Sequence, residues 1–356
     1  MPADRVNLAA VSPTDLNRLV AGWHWPRHRA EQILRWIHQK RVRDIEQMTD
    51  LSIADRAKLS EQTTIARLEP TDVLTSEDGT RKFLSRLDDG LLIESVLIPD
   101  DDRLTLCVST QVGCTLDCGF CLTGTMGLHR NLTAHEIVGQ VLMAQDRLEP
   151  RERLSNLVFM GMGEPLANLP ALRDAIARLT NERWGLGISA RRMTVSTAGL
   201  ASKLADAATL GVTLAVSLNA TTNAQRRRLM PAASRLHTLD ELLEACRALP
   251  LGPRRRLTFE YVLLAGENDR DEDARRLVTL LRGLRCKINL IPFNEFAGNP
   301  YRRPDTAAVA GFQAILRRAG FDVFVRKSKG RDVLGACGQL GGEAGARLLM
   351  PVGAAT

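Results

Sequence analysis

The 356-residue sequence lacks the features of several specialised classes of protein. No apolar run approaches the roughly 18 residues that a membrane span needs, and no low-complexity segment is present. The opening residues MPADRVNLAAVSPTD have no apolar stretch behind a basic start, so we expect no secretory signal and a cytoplasmic location. In that compartment the seven cysteines are thiols rather than a disulfide framework. The length predicts a globular chain of about two domains of ~150 residues.

Acidic residues are the minority, 41 against 48 basic ones, and one segment near the amino terminus has almost none. Between residues 18 and 43 a single acid, Glu31, accompanies seven basic side chains, which are Arg18, Arg27, Arg29, Arg35, Lys40, Arg41 and Arg43. Ile33, Leu34 and Ile37 form an apolar stripe there at helical spacing. A solvated basic face would explain this pattern, but charge of one sign is typical of phosphate binding. We therefore predict that residues 1–70 form a small helical domain that binds nucleic acid.

The patterning changes after residue 70 and predicts an α/β protein. Acidic-glycine turns at 78–79 and 89–90 predict hairpins, so residues 71–99 are expected to form a β-rich connector. Seven strand-like runs then alternate with helix-like stretches: LTLCVS, LVFMG, RMTVST, VTLAVSL, LTFEYVLL, INLIP and FDVFV. This alternation indicates a parallel sheet covered by helices. Because six strand-helix units are too few for a closed barrel, we expect an open, partial βα barrel over 100–333, with its active site at the carboxyl ends of the strands.

Three cysteines crowd into the segment CTLDCGFC, which follows the first barrel strand. They are Cys114, Cys118 and Cys121. Thiols this close in a loop are typical of a metal site rather than of a core. Zinc is one possibility, with His129 or His135 as a fourth ligand. The other is a 4Fe-4S cluster held by three thiolates, in which one iron stays open for a ligand.

The same cysteine spacing, with Phe120 before the last cysteine, resembles the radical S-adenosylmethionine (SAM) superfamily, whose fold is a partial βα barrel. Further segments are similar, in order, to the bacterial RNA methyltransferases that modify C2 of adenine in 23S ribosomal RNA and transfer RNA. These segments are VSTQVGC, CLTGTMGLHRNLTAHEIVGQV, FMGMGEPLAN, RRMTVSTAGL, AVSLNA, EYVLLAGEND, CKINLIPFNEFAGNPY and ACGQL. The resemblance covers nearly the whole chain and includes the basic amino-terminal domain, which in that family is a helix-hairpin-helix-like RNA module.

The resemblance implies a radical mechanism with a 4Fe-4S cluster on Cys114, Cys118 and Cys121 and with SAM as the second cofactor. It implies that Cys337, in the C-terminal loop and tail 334–356, is the S-methylcysteine intermediate. Cys107 would be the resolving thiol, which leaves a Cys107-Cys337 disulfide. From the residues alone, both cysteines would pass for small apolar residues.

The resemblance also assigns a proton acceptor and the SAM contacts. Glu94, which interrupts the apolar run LLIESVLIP, matches the proton acceptor, although an outward-facing strand residue is the ordinary explanation; Cys107 is the other candidate base. The implied SAM contacts are Gly163, Glu164, Ser196, Ser217, Leu218, Asn219 and Asn294. One departure is visible, because the family usually has SLHA where this chain has SLNA.

Two alternatives stay open at this point. One is the sister branch that methylates C8 of the same ribosomal adenine and confers antibiotic resistance, and the other is a zinc-stabilised RNA-binding protein without catalysis. We expect a monomer that contacts no membrane, acts on 23S ribosomal RNA and transfer RNA, and takes electrons from a low-potential donor such as flavodoxin or ferredoxin. The arginines at 226–228 are expected in a solvated loop.

Overall fold

The structure is a computed structural model that describes residues 5–252, 255–342 and 344. The predicted tail therefore lies mostly outside the described residues. A small helical region comes first in the chain. Its elements are β1 (Val6–Asn7), α1 (Pro13–Gly22), α2 (His28–His38), α3 (Ile53–Gln62) and β2 (Thr63–Thr64). The hydroxyls of Ser12 and Ser52 accept hydrogen bonds from backbone N–H groups in the first turns of α1 and α3, which fixes where these helices begin. The predicted stripe Ile33, Leu34 and Ile37 is buried.

Two hairpins follow and join the helical region to the barrel. Their strands are β3 (Pro70–Thr75), β4 (Arg81–Arg86) and β5 (Leu92–Asp100). They pair antiparallel, and Gly79 and Gly90 hold φ angles of 81° and 86° in the two turns. Glycine adopts these left-handed angles without a steric penalty, so the predicted acidic-glycine turns are confirmed.

The barrel is built from the seven predicted strand runs, all of which form strands. The barrel strands and the small hairpin after the first of them are β6 (Arg103–Cys107), β7 (Gln111–Gly113), β8 (Leu128–Asn131), β9 (Asn156–Phe159), β10 (Met193–Thr197), β11 (Thr213–Ser217), β12 (Leu257–Leu263), β13 (Cys286–Pro292) and β14 (Asp322–Val325). Strands β6 and β9 to β14 are parallel neighbours, and β5, β4 and β3 extend the same ten-stranded sheet. The described sheet has β14 and β3 as its two edges, so the barrel is open, as the sequence predicts.

Helices cover the barrel strands and bury their apolar faces against the sheet. The helices are α4 (Leu122–Thr125), α5 (Ala134–Gln145), α6 (Leu169–Thr180), α7 (Leu204–Ala208), α8 (Asn223–Leu229), α9 (Pro231–Leu236), α10 (Leu239–Ala248), α11 (Asp271–Leu281) and α12 (Thr306–Arg318). The expected loop at 226–228 is wrong, because these arginines lie on α8. Arg227 and Arg228 are exposed as expected, whereas Arg226 is fully buried. The helices α8 and α9 are short, and Pro231 begins α9 directly after α8. Neither helix is therefore long enough to give a clear periodic pattern in the sequence.

Part of the basic segment contacts the barrel rather than solvent. Asp146, just after α5, pairs with Arg41 and Arg43 from the helical region at 3.2 and 3.1 Å, and with Arg67 at 3.0 Å. Arg27 and Lys40 stay exposed. The basic segment therefore divides into residues that fasten the helical region to the barrel and residues that are free to meet a polyanion. In the part of the chain that is described, no helix has the length and apolarity to cross a membrane.

Candidate active site at the carboxyl ends of the barrel strands

A cavity opens where the parallel strands end, at the edge of the sheet that the sequence predicts for the active site. Most of the residues predicted to act in the reaction or to bind the cofactors line this cavity. The lining is Cys114, Leu116, Cys118, Phe120, Cys121, Phe159, Met160, Gly161, Gly163, Glu164, Pro165, Ser196, Thr197, Ala198, Ser217, Asn219, Met230, Glu260, Val262, Ile291, Phe293, Asn294, Arg326, Cys337 and Gly338. Three of the predicted residues, Cys107, Glu94 and Leu218, are outside this lining.

The three-cysteine loop is the end of the β7–β8 hairpin and is held in place by its backbone. The Cys114 N–H donates to Gly127 at 3.0 Å across the hairpin, and Gly119 N–H donates to Leu229 at 2.9 Å. At the far end, the Leu122 N–H donates to the carbonyl of Gly338 at 2.7 Å. The loop with the three cysteines and the loop with Cys337 are therefore hydrogen-bonded to each other beside the cavity.

The three thiols form a site that is suited to binding a cationic group. All three pack against an apolar cluster that includes Leu116 and Phe293. Burial raises the pKa of the Cys118 thiol well above its ordinary value, and the neighbouring Cys121 and Cys114 raise it further. Burial also raises the pKa of Cys114 to about 12. Coordinated irons supply the positive charge that such crowded thiolates need. The donor set thus fits an iron-sulfur cluster with Cys114, Cys118 and Cys121 as its ligands.

The zinc alternative finds no support in the positions of the histidines. His129 is exposed on β8, and the Nε2 of His135 lies 3.5 Å from the side-chain amide of Asn7 in the helical region. Among the residues that are described, no three His, Cys, Asp or Glu side chains converge on a point where they hold a single metal ion. A single zinc ion requires such convergence. In a cube each thiolate binds a different iron, so its ligands do not need to converge.

Gly163 and Glu164 form a tight turn after β9. Gly163 has a φ of 101°, and a Cβ at this position would lie 2.5 Å from the Cβ of Gln111, so only glycine fits there. The Glu164 carboxylate is buried and accepts hydrogen bonds from the N–H groups of Leu166 at 3.0 Å and Ala198 at 2.7 Å. These bonds join the ends of β9 and β10, and each carboxylate oxygen keeps a second lone pair for a ligand.

The other predicted SAM contacts follow the next strands in order. Ser196 is the penultimate residue of β10 and Ser217 is the last residue of β11, and their hydroxyl oxygens are 3.4 Å apart. Asn219 has a φ of 55°, which asparagine tolerates better than most residues, and its side-chain oxygen accepts from Val262 N–H at 2.8 Å. The side chain at the SLNA position therefore binds the neighbouring strand. Asn294 donates to the Cys337 carbonyl at 3.0 Å. Leu218 is buried outside the cavity lining.

Cys337 and Cys107 approach each other around Arg326, which follows β14. Cys107 is buried at the end of β6, and burial followed by the nearby Cys337 raises the pKa of the Cys107 thiol to about 12. The pKa of the Arg326 guanidinium is raised above its ordinary value, chiefly by Cys337. Both cysteines are free thiols. The Arg326 guanidinium is close to both cysteines.

Glu94 is buried beneath the loop of Cys337. Its two carboxylate oxygens accept hydrogen bonds from the N–H groups of Gly341 at 3.1 Å and Ala344 at 3.0 Å. Lys82 Nζ lies 3.5 Å from one of these oxygens, and both side chains are fully buried. Glu94 thus holds the segment that follows Cys337. Its assignment as the proton acceptor stays a prediction.

Sequence reasoning missed three charged residues around the cavity. Arg226 donates to the carbonyls of Leu218 at 3.0 Å and Ala198 at 2.6 Å, which ties together the ends of β10 and β11. Glu260 and Arg326 line the cavity itself. A signal for Glu260 exists in the sequence, because it interrupts the apolar run LTFEYVLL just as Glu94 interrupts LLIESVLIP. The arginines carry no such signal.

Comparison with known protein families gives two matches at separate parts of the chain. The Radical SAM superfamily matches residues 108–278. A family described as the ribosomal RNA large subunit methyltransferase N-terminal domain matches residues 6–65. The first match contains the three-cysteine loop and the cavity strands up to β12, and the second contains the helical region.

Individual relatives match over nearly the whole chain. A dual-specificity RNA methyltransferase RlmN of Desulfosudis oleivorans is 50% identical over 317 residues, which are 88% of this chain and 84% of that protein. One of Solidesulfovibrio magneticus is 49% identical over 341 residues, or 95% of this chain and 97% of that protein. The crystal structure of a radical SAM methyltransferase from Sphaerobacter thermophilus superposes with a TM-score of 0.88 at 42% identity, and covers 94% of this chain and 99% of that one.

Proposed function

We propose that this chain, which belongs to the family of dual-specificity RNA methyltransferases RlmN, methylates C2 of adenine in 23S ribosomal RNA and in transfer RNA by radical SAM chemistry. The observation that supports this most is that Cys114, Cys118, Cys121 and Cys337 line one cavity. This arrangement supports the proposal, because a cluster on the first three cysteines and a methyl group on Cys337 would then share one opening. No observation favours C8 methylation or a role without catalysis.

The 4Fe-4S cluster and SAM are the cofactors, and when bound they supply a 5′-deoxyadenosyl radical. Cys337 would first accept a methyl group from SAM, lose one hydrogen atom of that group to the radical, and join C2 of the adenine through the resulting carbon. The unpaired electron of this adduct would return to the oxidised cluster. The C2 proton passes to a base, for which Glu94 and Cys107 are the candidates. The Cys107 thiol, once deprotonated, would then attack the Cys337 sulfur, which forms a disulfide and breaks the bond between that sulfur and the linking carbon. This carbon takes up a proton and becomes the methyl group of the released base.

The cellular setting follows from this chemistry. We propose that the enzyme works in the cytoplasm, where its RNA substrates are, and that flavodoxin or ferredoxin supplies the electron. We also propose that it acts as a monomer. The domain boundaries at 70, 99 and 333 stay a prediction.

One experiment tests the function as a whole. The cluster is reconstituted anaerobically, labelled SAM and unmodified RNA are added with a reductant, and the nucleosides of the RNA are separated by mass spectrometry. We expect labelled 2-methyladenosine from both ribosomal and transfer RNA. Labelled 8-methyladenosine instead would assign the chain to the sister reaction, and a colourless, iron-free protein that binds RNA would assign it to the class without catalysis.

The division of the basic segment predicts two kinds of charge-reversal phenotype. Changing Arg27 and Lys40 to Glu should weaken RNA binding about equally for all sequences and reduce the slope of log affinity against log salt by about 0.7 to 0.9 per lost phosphate contact. The matched control is Arg43→Glu, which should lower the melting temperature because it breaks the contact with Asp146. Filter binding at several salt concentrations measures the slope. An unchanged slope for the Arg27 and Lys40 variant would mean that these side chains are only solvated.

The variant Glu94→Gln tests whether Glu94 is the proton acceptor or only holds the segment that follows Cys337. This change leaves Lys82 buried without its carboxylate, which costs about 3 to 5 kcal/mol. The double variant Lys82→Met/Glu94→Gln removes that charge and should recover most of the stability. If Glu94 is the base, the double variant should methylate Cys337 normally and accumulate a protein-RNA adduct. If Glu94 only holds the segment, Cys337 methylation itself should fall, which mass spectrometry of the protein detects.

A further inference from the structure

Among the described residues, one carboxylate oxygen of Glu260 has no hydrogen-bond partner. Glu260 lies on β12, lines the cavity and is 3% exposed. Its Oε1 accepts a hydrogen bond from the Asn289 side chain at 2.9 Å, while its buried Oε2 has no hydrogen-bond partner. It is the single carboxylate oxygen in that state among the residues that the structure describes. Because an unpaired buried acceptor is expensive, this oxygen is expected to meet a donor on a ligand.

The neighbours of Glu260 are polar groups at the same level of the sheet. In the parallel ladders Ser217 of β11 aligns with Glu260, and Glu260 aligns with Asn289 of β13. Aligned residues of adjacent strands point to the same face of a sheet, so these side chains form one row. The Ser196 hydroxyl, 3.4 Å from that of Ser217, extends the row toward β10.

This row suits a sugar better than a base edge. A carboxylate oxygen is a strong acceptor for a ribose hydroxyl, as it is in other nucleotide sites, and the serine hydroxyls next to it can serve a second hydroxyl as donor or acceptor. An adenine edge needs an acceptor for its amino group and a donor for the adjacent ring nitrogen. The Asn289 amide already donates to Glu260, so a base edge in this row would depend on a serine hydroxyl for its donor.

We propose that Glu260 accepts a hydrogen bond from a ribose hydroxyl of SAM and thereby helps to set the position of the adenosyl group in the cavity. The proposal rests on the function proposed above, in which SAM binds at this opening. Burial raises the pKa of the Glu260 carboxyl, and the nearby Arg326 cation opposes that rise. Arg326 thus favours the charged carboxylate, which accepts a hydrogen bond from a hydroxyl most strongly.

The test is a cycle of ligand and protein changes read by binding. The cluster-reconstituted enzyme is titrated in a calorimeter with S-adenosylhomocysteine, which has no transferable methyl group, and with its 2′-deoxy and 3′-deoxy forms. Wild type should bind one deoxy form about ten- to a hundredfold more weakly than the parent, as expected for a lost hydrogen bond to a charged group. Glu260→Gln should bind the parent more weakly by a similar factor and should no longer distinguish that deoxy form.

The controls keep the outcome interpretable. Glu244→Gln, an exposed change on α10, should discriminate like wild type. Iron content and melting temperature show whether the Glu260→Gln variant is folded. If it is not folded, the Glu260→Asp variant, which withdraws the carboxylate by one methylene, is used in its place. The proposal is overturned if wild type binds both deoxy forms as tightly as the parent ligand. It is also overturned if the loss of binding free energy from the deoxy ligand and the loss from Glu260→Gln are additive.

A second arm of the experiment distinguishes a ribose hydroxyl of SAM from a ribose hydroxyl of the target adenosine in RNA. If Glu260→Gln instead removes discrimination against RNA with 2′-deoxyadenosine at the target position, the hydroxyl belongs to the RNA, and the assignment to SAM is wrong. Formation of 2-methyladenosine by wild type is scored independently, so a failure of the proposed function is distinguishable from a failure of this proposal.

Discussion

Replacing any one of Cys114, Cys118 or Cys121 with alanine is expected to remove the iron-sulfur cluster, and with it both 5′-deoxyadenosine production and RNA methylation. The loop supplies three thiolates, and the fourth position must stay open for SAM, so two remaining ligands do not hold a cube. Iron content, the visible absorbance of the reconstituted protein and chromatography of the SAM cleavage products measure the loss. We expect all three readouts to fall to background together.

Two other cysteines provide matched controls for this prediction. Cys246 is buried on α10, among leucines at helical spacing, and Cys286 begins β13. Changing either to alanine removes a thiol of similar burial outside the cavity lining, so the iron content should stay at the wild-type level. Full iron content and continued SAM cleavage in a Cys118→Ala enzyme would refute the assignment of this loop as the cluster site.

The parts of the fold that the sequence predicts well are those with a local signal. The runs RMTVST and VTLAVSL are short, apolar and rich in β-branched residues, so they predict buried parallel strands without reference to anything distant. The helices α8 and α9 give no strong periodic signal in the sequence, because each has fewer than eight residues and Pro231 separates them. Arg226 is misjudged for a related reason, since a run of three arginines normally indicates solvent, whereas the burial of one of them depends on the ends of two strands.

The same distinction applies to the site. The three cysteines proposed to hold the cluster lie within eight consecutive residues, so their spacing alone indicates a metal centre. Cys107 and Cys337 lie at opposite ends of the barrel sequence, and only the closing of the chain brings them to Arg326. Glu94 matches the acid of the family, yet its hydrogen bonds to the segment after Cys337 follow from tertiary structure. No local pattern predicts such contacts.

Alanine variants of Cys337 and Cys107 are expected to block the reaction at different points. Cys337→Ala should yield neither a methylated protein nor a protein-RNA adduct, because the carbon carrier is missing. Cys107→Ala should still be methylated on Cys337 and should accumulate the covalent adduct, because no thiol is left to attack the linking sulfur. Mass spectrometry of the protein and denaturing gels of the RNA adduct read these two states directly.

The geometry around the pair gives a reason for this order of events. Cys337 lines the cavity, where SAM and RNA can reach it, whereas Cys107 is buried behind the lining and its thiol pKa is raised to about 12. A thiol held protonated by burial is a poor nucleophile until a base or a change of position frees it, so it does not compete with Cys337 for the methyl group. Cys107 can form the disulfide only when its Cα atom and that of Cys337 are within the roughly 4.4 to 6.8 Å that a disulfide spans. Equal amounts of adduct from both variants, or none from either, would show that the two roles are wrongly assigned.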